Sequence, residues 1–300
     1  MRAFRVAYDG RPYHGFQRQP SVPTVEDEVL DALDALDVIA SDDEDGAGEG
    51  RRTPSGYAAA GRTDAGVSAL AQTVAFECPD WLTPRAFNGQ LPASVRAWAS
   101  ADVREGFHAT HHAASRAYDY HLYAPTAEVD RAAAALARIE GTHDFADLTA
   151  ASDDDTTRTV DTATVDRDGD VLRVHLRADG FLWELVRRMV ALVHAVATRD
   201  RDVDAVDRAL APGTMPDHER VGPAPPEPLV LTDVTYPGID FEHDPEAAAS
   251  ARDVFAAEHA TAVARERVAG QLRDGVTAPD GDAAGDSLRD EDDEDDAVGG

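Results

Sequence analysis

Hydrophobic and polar positions along the chain follow two periods, one of two residues and one of about 3.6 residues. The period of two predicts strands at 3–8, 72–78, 95–103, 116–125 and 227–237, and a hairpin at 159–180. The helical period predicts helices from Thr24 onward and at 83–92, 128–140 and 181–197, and a surface helix at 241–274. Segment 116–125 alternates large and polar residues in the manner of an exposed edge strand.

Local signals place the ends of two of these elements. Thr24 is followed three residues later by Asp27, which is the spacing of a capping box at a helix start. Val25, Val29 and Leu33 then recur on one face of the predicted helix. An Asp-Gly pair between the two alternating runs of the hairpin predicts its turn.

The order of the elements predicts an α+β protein with two halves. Strand, helix, strand and strand are followed by a similar set, so each half is expected to be an antiparallel sheet backed by helices. The predicted divisions are an N-terminal subdomain at 1–105 and a C-terminal subdomain at 106–240. Residues 241–300 are expected to be an acidic extension, a helix followed by a disordered tail.

The composition is strongly acidic. The 300 residues include 58 Asp and Glu against 28 Lys and Arg, for a formal net charge of -30, and all 28 of these cations are arginine. Self-repulsion of this size opposes folding unless salt screens it, and the Debye length falls to about 3 Å in molar salt. The composition therefore predicts a halophilic protein. An acidic interaction protein is the alternative, but it would lack the apolar periodicity.

Several classes of protein are disfavoured by what the sequence lacks. The single cysteine, Cys78, excludes an internal disulfide and a Cys-based zinc site. The sequence contains no run of eighteen apolar residues, so no membrane helix is predicted. It also has no long apolar stretch near its start, so no signal peptide is predicted. We therefore expect a cytoplasmic protein.

Positive charge is concentrated in three islands despite the acidic excess. Residues 1–20 carry four arginines against one acid, residues 171–199 carry five against two, and Arg51, Arg52 and Arg62 form the third island. Aromatic residues accompany two of the islands: Tyr8, Tyr13, Phe16, Phe181 and Trp183. Arginine with aromatic rings favours RNA binding, but packing in the core and Arg–Asp pairs explain the same residues equally well.

The segment AAGRTDAGVSA, Ala59–Ala69, places Asp64 between two glycines. By itself this arrangement is typical of a turn, because the short Asp side chain caps its own backbone.

Eight segments resemble motifs of the tRNA pseudouridine synthase A family. AAGRTDAGVSALAQTVAFE (59–77) closely resembles the catalytic motif of that family. The others occur in the family's order: YDGRPYHGFQRQ (8–19), NGQLP (88–92), FHA (107–109), RAYDYHLY (116–123), GTHDF (141–145), FLWELVRRMV (181–190) and EPLVL (227–231). The resemblance covers residues 3 to about 237.

The resemblance implies an isomerase that converts uridine to pseudouridine in tRNA, at positions 38, 39 and 40 of the anticodon stem-loop. It also implies a homodimer that needs no metal and no cofactor. Two pseudo-symmetric subdomains are expected, with the catalytic cleft between them.

Roles for single residues follow from the same resemblance. Asp64 is implied as the catalytic carboxylate, acting either as a nucleophile or as the base that starts a glycal route. Arg187 is implied as its charged neighbour, and Tyr118 as the ring that stacks on the uracil and takes the C5 proton. Arg62 is expected to position Asp64 or to hold phosphate. Leu229 is expected to line the pocket, but packing in the hydrophobic core explains this leucine equally well.

The N-terminal motif adds two expected substrate contacts, Phe16 and Arg18. The chain departs from the family at Ser68, where many relatives have histidine, and at Thr110, where arginine is frequent. Segment 41–56 looks like an inserted loop. We therefore expect one RNA contact to be missing or relocated.

The helical pattern of 181–197 separates its two adjacent arginines. Arg187 lies on a stripe beside the apolar face, so its side chain is expected to be partly buried. Arg188 lies on the opposite flank, four residues after Glu184, which is the spacing of a surface ion pair.

Two other functions compete with an isomerase. A non-catalytic RNA-binding protein on the same scaffold would tolerate replacement of Asp64. A metal-dependent hydrolase would use a group such as His108, His111 and His112, but the chain lacks HExxH and a set of Cys ligands.

Overall fold

The computed structural model describes residues 1–39, 52–149, 155–213 and 216–276. Residues 1–254 form one compact unit, and the chain from Phe255 onward forms a second. The predicted loop at 41–56 lies largely outside the described residues, together with Arg51, and the predicted acidic tail lies wholly outside them.

Ten strands and six α-helices form within the described residues. The strands are β1 (Arg2–Tyr8), β2 (Ala58–Ala59), β3 (Ser68–Phe76), β4 (Val95–Asp102), β5 (Ser115–Tyr123), β6 (Gly141–Asp144), β7 (Thr157–Asp168), β8 (Val171–Ala178), β9 (Leu229–Thr235) and β10 (Glu242–His243). The helices are α1 (Val25–Ala35), α2 (Pro84–Asn88), α3 (Val129–Ile139), α4 (Leu185–Ala197), α5 (Asp204–Ala209) and α6 (Pro245–Gly275). None of these helices is long and apolar enough to cross a membrane.

All ten strands belong to one sheet. Its order is β10-β4-β1-β3-β9-β5-β8-β7-β6, with β2 paired to β3. The β3–β9 pairing is parallel and joins Ser68 to Val230 and Ala69 to Leu231, whereas the other pairings are antiparallel. An N-terminal and a C-terminal antiparallel sheet therefore meet at a short parallel seam. The predicted α+β class is confirmed.

Two hydrophobic cores lie against this sheet. The N-terminal core buries α1 side chains Val25, Val29 and Leu33, as their spacing predicts. The C-terminal core combines residues of α3, α4 and α5 with inward residues of β7 and β8. Strand β9 contributes to both cores, because Leu229 packs in the C-terminal core and Leu231 in the N-terminal one.

Thr24 caps the start of α1, at the position that its spacing from Asp27 predicts. The Thr24 hydroxyl accepts a hydrogen bond from the Asp27 amide at 3.2 Å and donates one to the Asp27 carboxylate at 2.6 Å. One free amide at the helix end is satisfied in this way.

Two predictions from the sequence are wrong in detail. The β5 strand is not an edge strand, because it pairs with β8 on one side and with β9 on the other. Helix α4 begins at Leu185 rather than at residue 181, since Glu184 adopts a left-handed backbone conformation with φ 59° and ψ 4°. The short elements β2, β6, β10 and α5 carry too few residues to produce a readable period.

An arginine–aspartate cluster crosses the parallel seam. Asp233 of β9 accepts hydrogen bonds from Arg5 of β1 and from Arg177 of β8, each at 3.3 Å. Arg5 also donates to the Val234 carbonyl at 2.6 Å, and its guanidinium carbon lies 4.3 Å from the centre of the Phe241 ring. Burial lowers the pKa of Arg5, and the charge of Asp233 acts in the opposite direction. The cluster ties both halves of the sheet to β9.

We expect Asp233→Asn to lower the free energy of unfolding by about 1–3 kcal/mol, because the buried Arg5 charge loses its partner. The 37% exposure of the Asp233 side chain limits the loss. Urea unfolding in constant molar KCl measures it. The matched control is Asp166→Asn, whose pair with Arg173 is exposed on both sides, so solvent screening leaves it little effect on stability. Equal effects of the two variants would contradict the prediction.

Candidate active site

Asp64 lies in the loop between β2 and β3, and the N-terminal segment fixes the backbone on both sides of it. The Phe16 amide donates a hydrogen bond to the Thr63 carbonyl at 3.0 Å. The Gly66 amide donates one to the Tyr13 carbonyl at 3.3 Å. The segments that resemble the first two motifs of the family are therefore packed against each other.

Two glycines make this close approach possible. A Cβ atom on Gly10 would lie 2.0 Å from the Val67 carbonyl oxygen. Gly15 has φ 99°, and its Cβ would lie 2.9 Å from the Thr63 carbonyl oxygen. Only glycine fits such positions without moving the backbone of the loop.

We expect Gly10→Ala to displace the loop that carries Asp64 and to destabilise the fold by about 1–3 kcal/mol, as overpacking does. Thermal unfolding in molar KCl measures the change. Gly61→Ala is the matched control in the same region, because nothing lies within 4 Å of its Cβ position. A Gly10→Ala variant as stable as this control would show that the loop can move aside.

Asp64 forms an ion pair with Arg187 of α4, from the other half of the sheet. The Arg187 Nη1 donates to Asp64 Oδ2 at 3.0 Å, and the two side chains are 12% and 22% exposed respectively. The Arg187 Nε donates to the Ala224 carbonyl at 2.7 Å, which fixes the plane of the guanidinium. A partly enclosed carboxylate therefore faces an oriented cation. The predicted partial burial of Arg187 is confirmed.

Glu184 holds the two adjacent arginines at the start of α4. Its carboxylate lies 3.7 Å from Arg187 Nη1 and accepts a hydrogen bond from Arg188 Nη2 at 2.8 Å. The i,i+4 pair predicted for Glu184 and Arg188 is confirmed. Arg188 also donates to the Val221 carbonyl at 2.9 Å, so its hydrogen bonds are directed away from Asp64.

Tyr118 of β5 is half-buried and belongs to the same region. Its ring meets the Phe181 ring edge to face, with centroids 5.3 Å apart. Burial raises the pKa of the Tyr118 hydroxyl to about 12, Arg116 opposes this, and the charge of Asp64 adds to it. The hydroxyl is therefore protonated at neutral pH and responds to the charge of Asp64.

Alkaline pH is expected to destabilise the protein between about pH 10 and 12. Burial raises the pKa of Tyr118, Tyr120 and Tyr236 to about 12 in the folded chain, from an ordinary value of 10. The folded state therefore holds these protons more tightly, so stability is complete below pH 10 and is lost as pH rises through 12. Urea unfolding at increasing pH measures this loss. Tyr118→Phe should reduce this loss without abolishing it, because Tyr120 and Tyr236 remain. Tyr123→Phe, at an exposed ring, is the control and should leave the loss unchanged. A flat profile for the unchanged chain would contradict the prediction.

The remaining predicted site residues occupy different environments. Leu229 is 4% exposed at the start of β9, and Phe16 is 1% exposed in the N-terminal core. Arg62 is exposed and makes no hydrogen bond or ion pair with the described part of the chain. Arg18 is half-buried, and its Nη1 has no hydrogen-bond partner among the described residues. The roles of all four in substrate binding stay predictions.

Sequence reasoning missed three side chains that support the Asp64 loop. The Thr110 hydroxyl donates to the Ala59 carbonyl at 2.5 Å, and Arg116 donates to the Ala60 carbonyl at 2.9 Å. The Ser68 hydroxyl accepts from the Gly10 amide at 3.0 Å. Ser68 and Thr110, the two departures from the family motifs, thus bond to the backbone of the loop and its supports.

The histidines considered as metal ligands are engaged with one another. The rings of His108 and His111 lie 4.1 Å apart, and His112 Nδ1 accepts a hydrogen bond from the His108 amide at 2.8 Å. Across the described ranges, no group of three His, Cys, Asp or Glu residues is arranged to hold a metal ion.

Comparisons with known proteins identify the class and the family. A family model described as tRNA pseudouridine synthase matches residues 135–237. A "tRNA pseudouridine synthase A" of Haloarcula marismortui is 53% identical over 288 residues, which cover 92% of this chain and 100% of that relative. A protein of the same description from Natronomonas pharaonis is 53% identical, over 91% of this chain and 98% of its own length. Another from Methanocella arvoryzae is 36% identical, over 81% of this chain and 86% of its own length.

The fold, the site and these relatives define an isomerase of the pseudouridine synthase class. The chain belongs to the tRNA pseudouridine synthase A family.

Proposed function

We propose that this enzyme converts uridine to pseudouridine at positions 38, 39 and 40 of the anticodon stem-loop of tRNA, with Asp64 as its catalytic carboxylate and without a cofactor. The observation that carries the proposal is the 3.0 Å ion pair between Asp64 and Arg187. It joins the two segments that resemble the catalytic motif and the helical motif of the family.

The reaction explains why a carboxylate is needed. The bond from C1′ to N1 of uracil breaks, the base rotates, a new bond forms from C1′ to C5, and the proton on C5 moves to solvent while N1 gains one. Departure of the base leaves positive charge on the ribose, which a preorganised anion stabilises. Asp64 supplies this anion, either by bonding to C1′ or by removing a ribose proton. Reactant and product have the same atoms, so no co-reactant is required.

Neighbouring side chains suit the other steps. Arg187 offsets the cost of enclosing the Asp64 carboxylate and holds it in one orientation. Tyr118 offers a half-buried ring for the uracil. Its hydroxyl is protonated next to the charge of Asp64, so it must release this proton before it takes the one on C5. Arg62, exposed two residues before Asp64, is free to bind the phosphate of a nucleotide extruded from its stack.

The acidic composition bears on where the enzyme works. A net charge of -30 and the similarity to proteins of Haloarcula marismortui and Halobacterium salinarum support function in a salt-rich cytoplasm. Homodimer formation, implied by the family resemblance, and the subdomain boundary at residue 105, predicted from the order of the elements, belong to the same proposal.

The test uses three anticodon stem-loop transcripts, each with a single uridine at position 38, 39 or 40, incubated with the full chain in molar KCl and a chelator. Chemical labelling specific for pseudouridine reads the product. Product at these positions, undiminished by the chelator, is the expected result. Binding of the transcripts without product would favour the non-catalytic reading, and loss of activity in chelator would favour a metal enzyme.

A further inference from the structure

Trp183 is an exposed aromatic residue at the edge of the candidate active site. Its side chain is 57% exposed, whereas Asp64 and Arg187 are 22% and 12% exposed. Residues on both sides of it in the chain reach the site. Phe181 contacts Tyr118 at a centroid distance of 5.3 Å, and the Glu184 carboxylate lies 3.7 Å from Arg187 Nη1. Aromatic rings at the edge of single-stranded nucleic-acid sites are the surfaces on which bases stack.

The backbone around Trp183 forms a tight turn that presents this ring. The Leu185 amide donates to the Leu182 carbonyl at 3.1 Å and closes the turn. Glu184, its third residue, has φ 59° and ψ 4°, as in a type II turn, where glycine is strongly preferred. Because a strained non-glycine residue persists only when its surroundings hold it, the ion pairs of Glu184 explain how the turn is maintained.

This turn is anchored directly to the candidate catalytic pair. The Glu184 carboxylate lies 3.7 Å from Arg187 Nη1 and bonds Arg188 at 2.8 Å. The Trp183 carbonyl accepts a hydrogen bond from the Thr149 hydroxyl at 3.0 Å. The ring therefore projects from a fixed backbone, in a turn four residues before Arg187.

We propose that Trp183 stacks on a base of the substrate RNA that neighbours the uridine bound at Asp64. The inference rests on the proposed function. When a uridine is extruded, the adjacent base loses a stacking partner, and an indole ring at the edge of the site replaces it. Because every base has a π-face, such a contact tolerates different neighbouring bases, which suits an enzyme that modifies several positions.

The charge of the protein makes an uncharged contact valuable. Phosphate contacts weaken steeply as salt concentration rises, and a net charge of -30 opposes RNA binding at low salt. Stacking depends little on ionic strength. In molar salt, Trp183 therefore supplies affinity that arginine–phosphate contacts lose.

The first test measures the affinity of the full-length chain for a labelled anticodon stem-loop. The measurement is made at two different KCl concentrations, both in the molar range. Trp183→Leu should weaken binding about five- to 100-fold, and by the same factor at both concentrations. Trp183→Phe should retain most of the affinity, because an aromatic face remains. The matched control is Trp81→Leu, since Trp81 is 53% exposed elsewhere in the fold and should not affect binding. Unchanged affinity of Trp183→Leu would overturn the proposal.

The second test detects the contact itself through fluorescence. The chain has three tryptophans, and a stacked base quenches indole emission. RNA should quench the unchanged protein and Trp81→Phe but not Trp183→Phe. Quenching that persists in Trp183→Phe would overturn the proposal. The proposal would also be overturned if Trp183→Leu lost self-association while its affinity for RNA stayed the same.

These tests separate the stacking role from the proposed function. Pseudouridine formation with unchanged affinity in Trp183→Leu would overturn stacking and leave the proposed function intact. Quenching that depends on Trp183, without product at any position, would support stacking and overturn the proposed reaction.

Discussion

Asp64→Asn is expected to lower pseudouridine formation by on the order of 10⁴-fold or more, as loss of a central catalytic group does. The substitution keeps the size of the side chain and removes the negative charge that we propose acts on the ribose. Arg187 retains its hydrogen bond to the Ala224 carbonyl, so the helix should stay in place. Single-turnover reactions with a stem-loop transcript in molar KCl measure the rate.

Asp119→Asn is the matched control for this substitution. Asp119 is adjacent to Tyr118 in β5, is 20% exposed, and bonds His175 at 2.6 Å. Its loss removes a paired, partly buried carboxylate from the C-terminal half of the sheet without touching Asp64, so activity should change only a few-fold. Equal activity of Asp64→Asn and the unchanged enzyme would mean that Asp64 serves the loop structure and not the reaction.

Arg187→Ala is expected to lower the single-turnover rate by about 10²–10³-fold, the effect of removing one preorganised electrostatic partner. The Asp64 carboxylate would lose its cation and become free to rotate, and the Ala224 carbonyl would lose its donor. Arg187→Lys keeps the charge but cannot reproduce both hydrogen bonds of the planar guanidinium. We therefore expect an intermediate rate for the lysine variant.

Arg188→Ala is the control at the adjacent position. Arg188 bonds Glu184 and the Val221 carbonyl, so its removal should change the rate by less than about tenfold. If Arg187→Ala and Arg188→Ala reduce the rate equally, the ion pair at Asp64 has no special part in the reaction.

Much of the secondary structure could be predicted from local patterns. The capping box at Thr24 placed the start of α1, and the Asp-Gly pair placed the turn between β7 and β8, because both signals depend on residues that are neighbours in the chain. The start of α4 could not be predicted in this way. Its sequence continues the helical period through residue 184, whereas Glu184 adopts a left-handed conformation in a turn that the distant Thr149 hydroxyl bonds at the Trp183 carbonyl.

The position of a strand in the sheet is likewise outside the reach of local pattern. The alternation of β5 suggested an exposed edge, yet β9, more than a hundred residues later, pairs along it. Exposure depends on which distant segments cover a strand, and the period of its own side chains does not record this.

The sequence by itself determined the longer elements, the acidic charge and the family, because each is carried by residue type and order. It also named Asp64, Arg187 and Tyr118 as candidates. Only the tertiary structure decided that Asp64 and Arg187, 123 residues apart, meet at 3.0 Å, and that Phe16 lies inside the core while Trp183 faces solvent. The physical reason is that packing across the β3–β9 seam brings together a loop and a helix whose local sequences contain no information about each other.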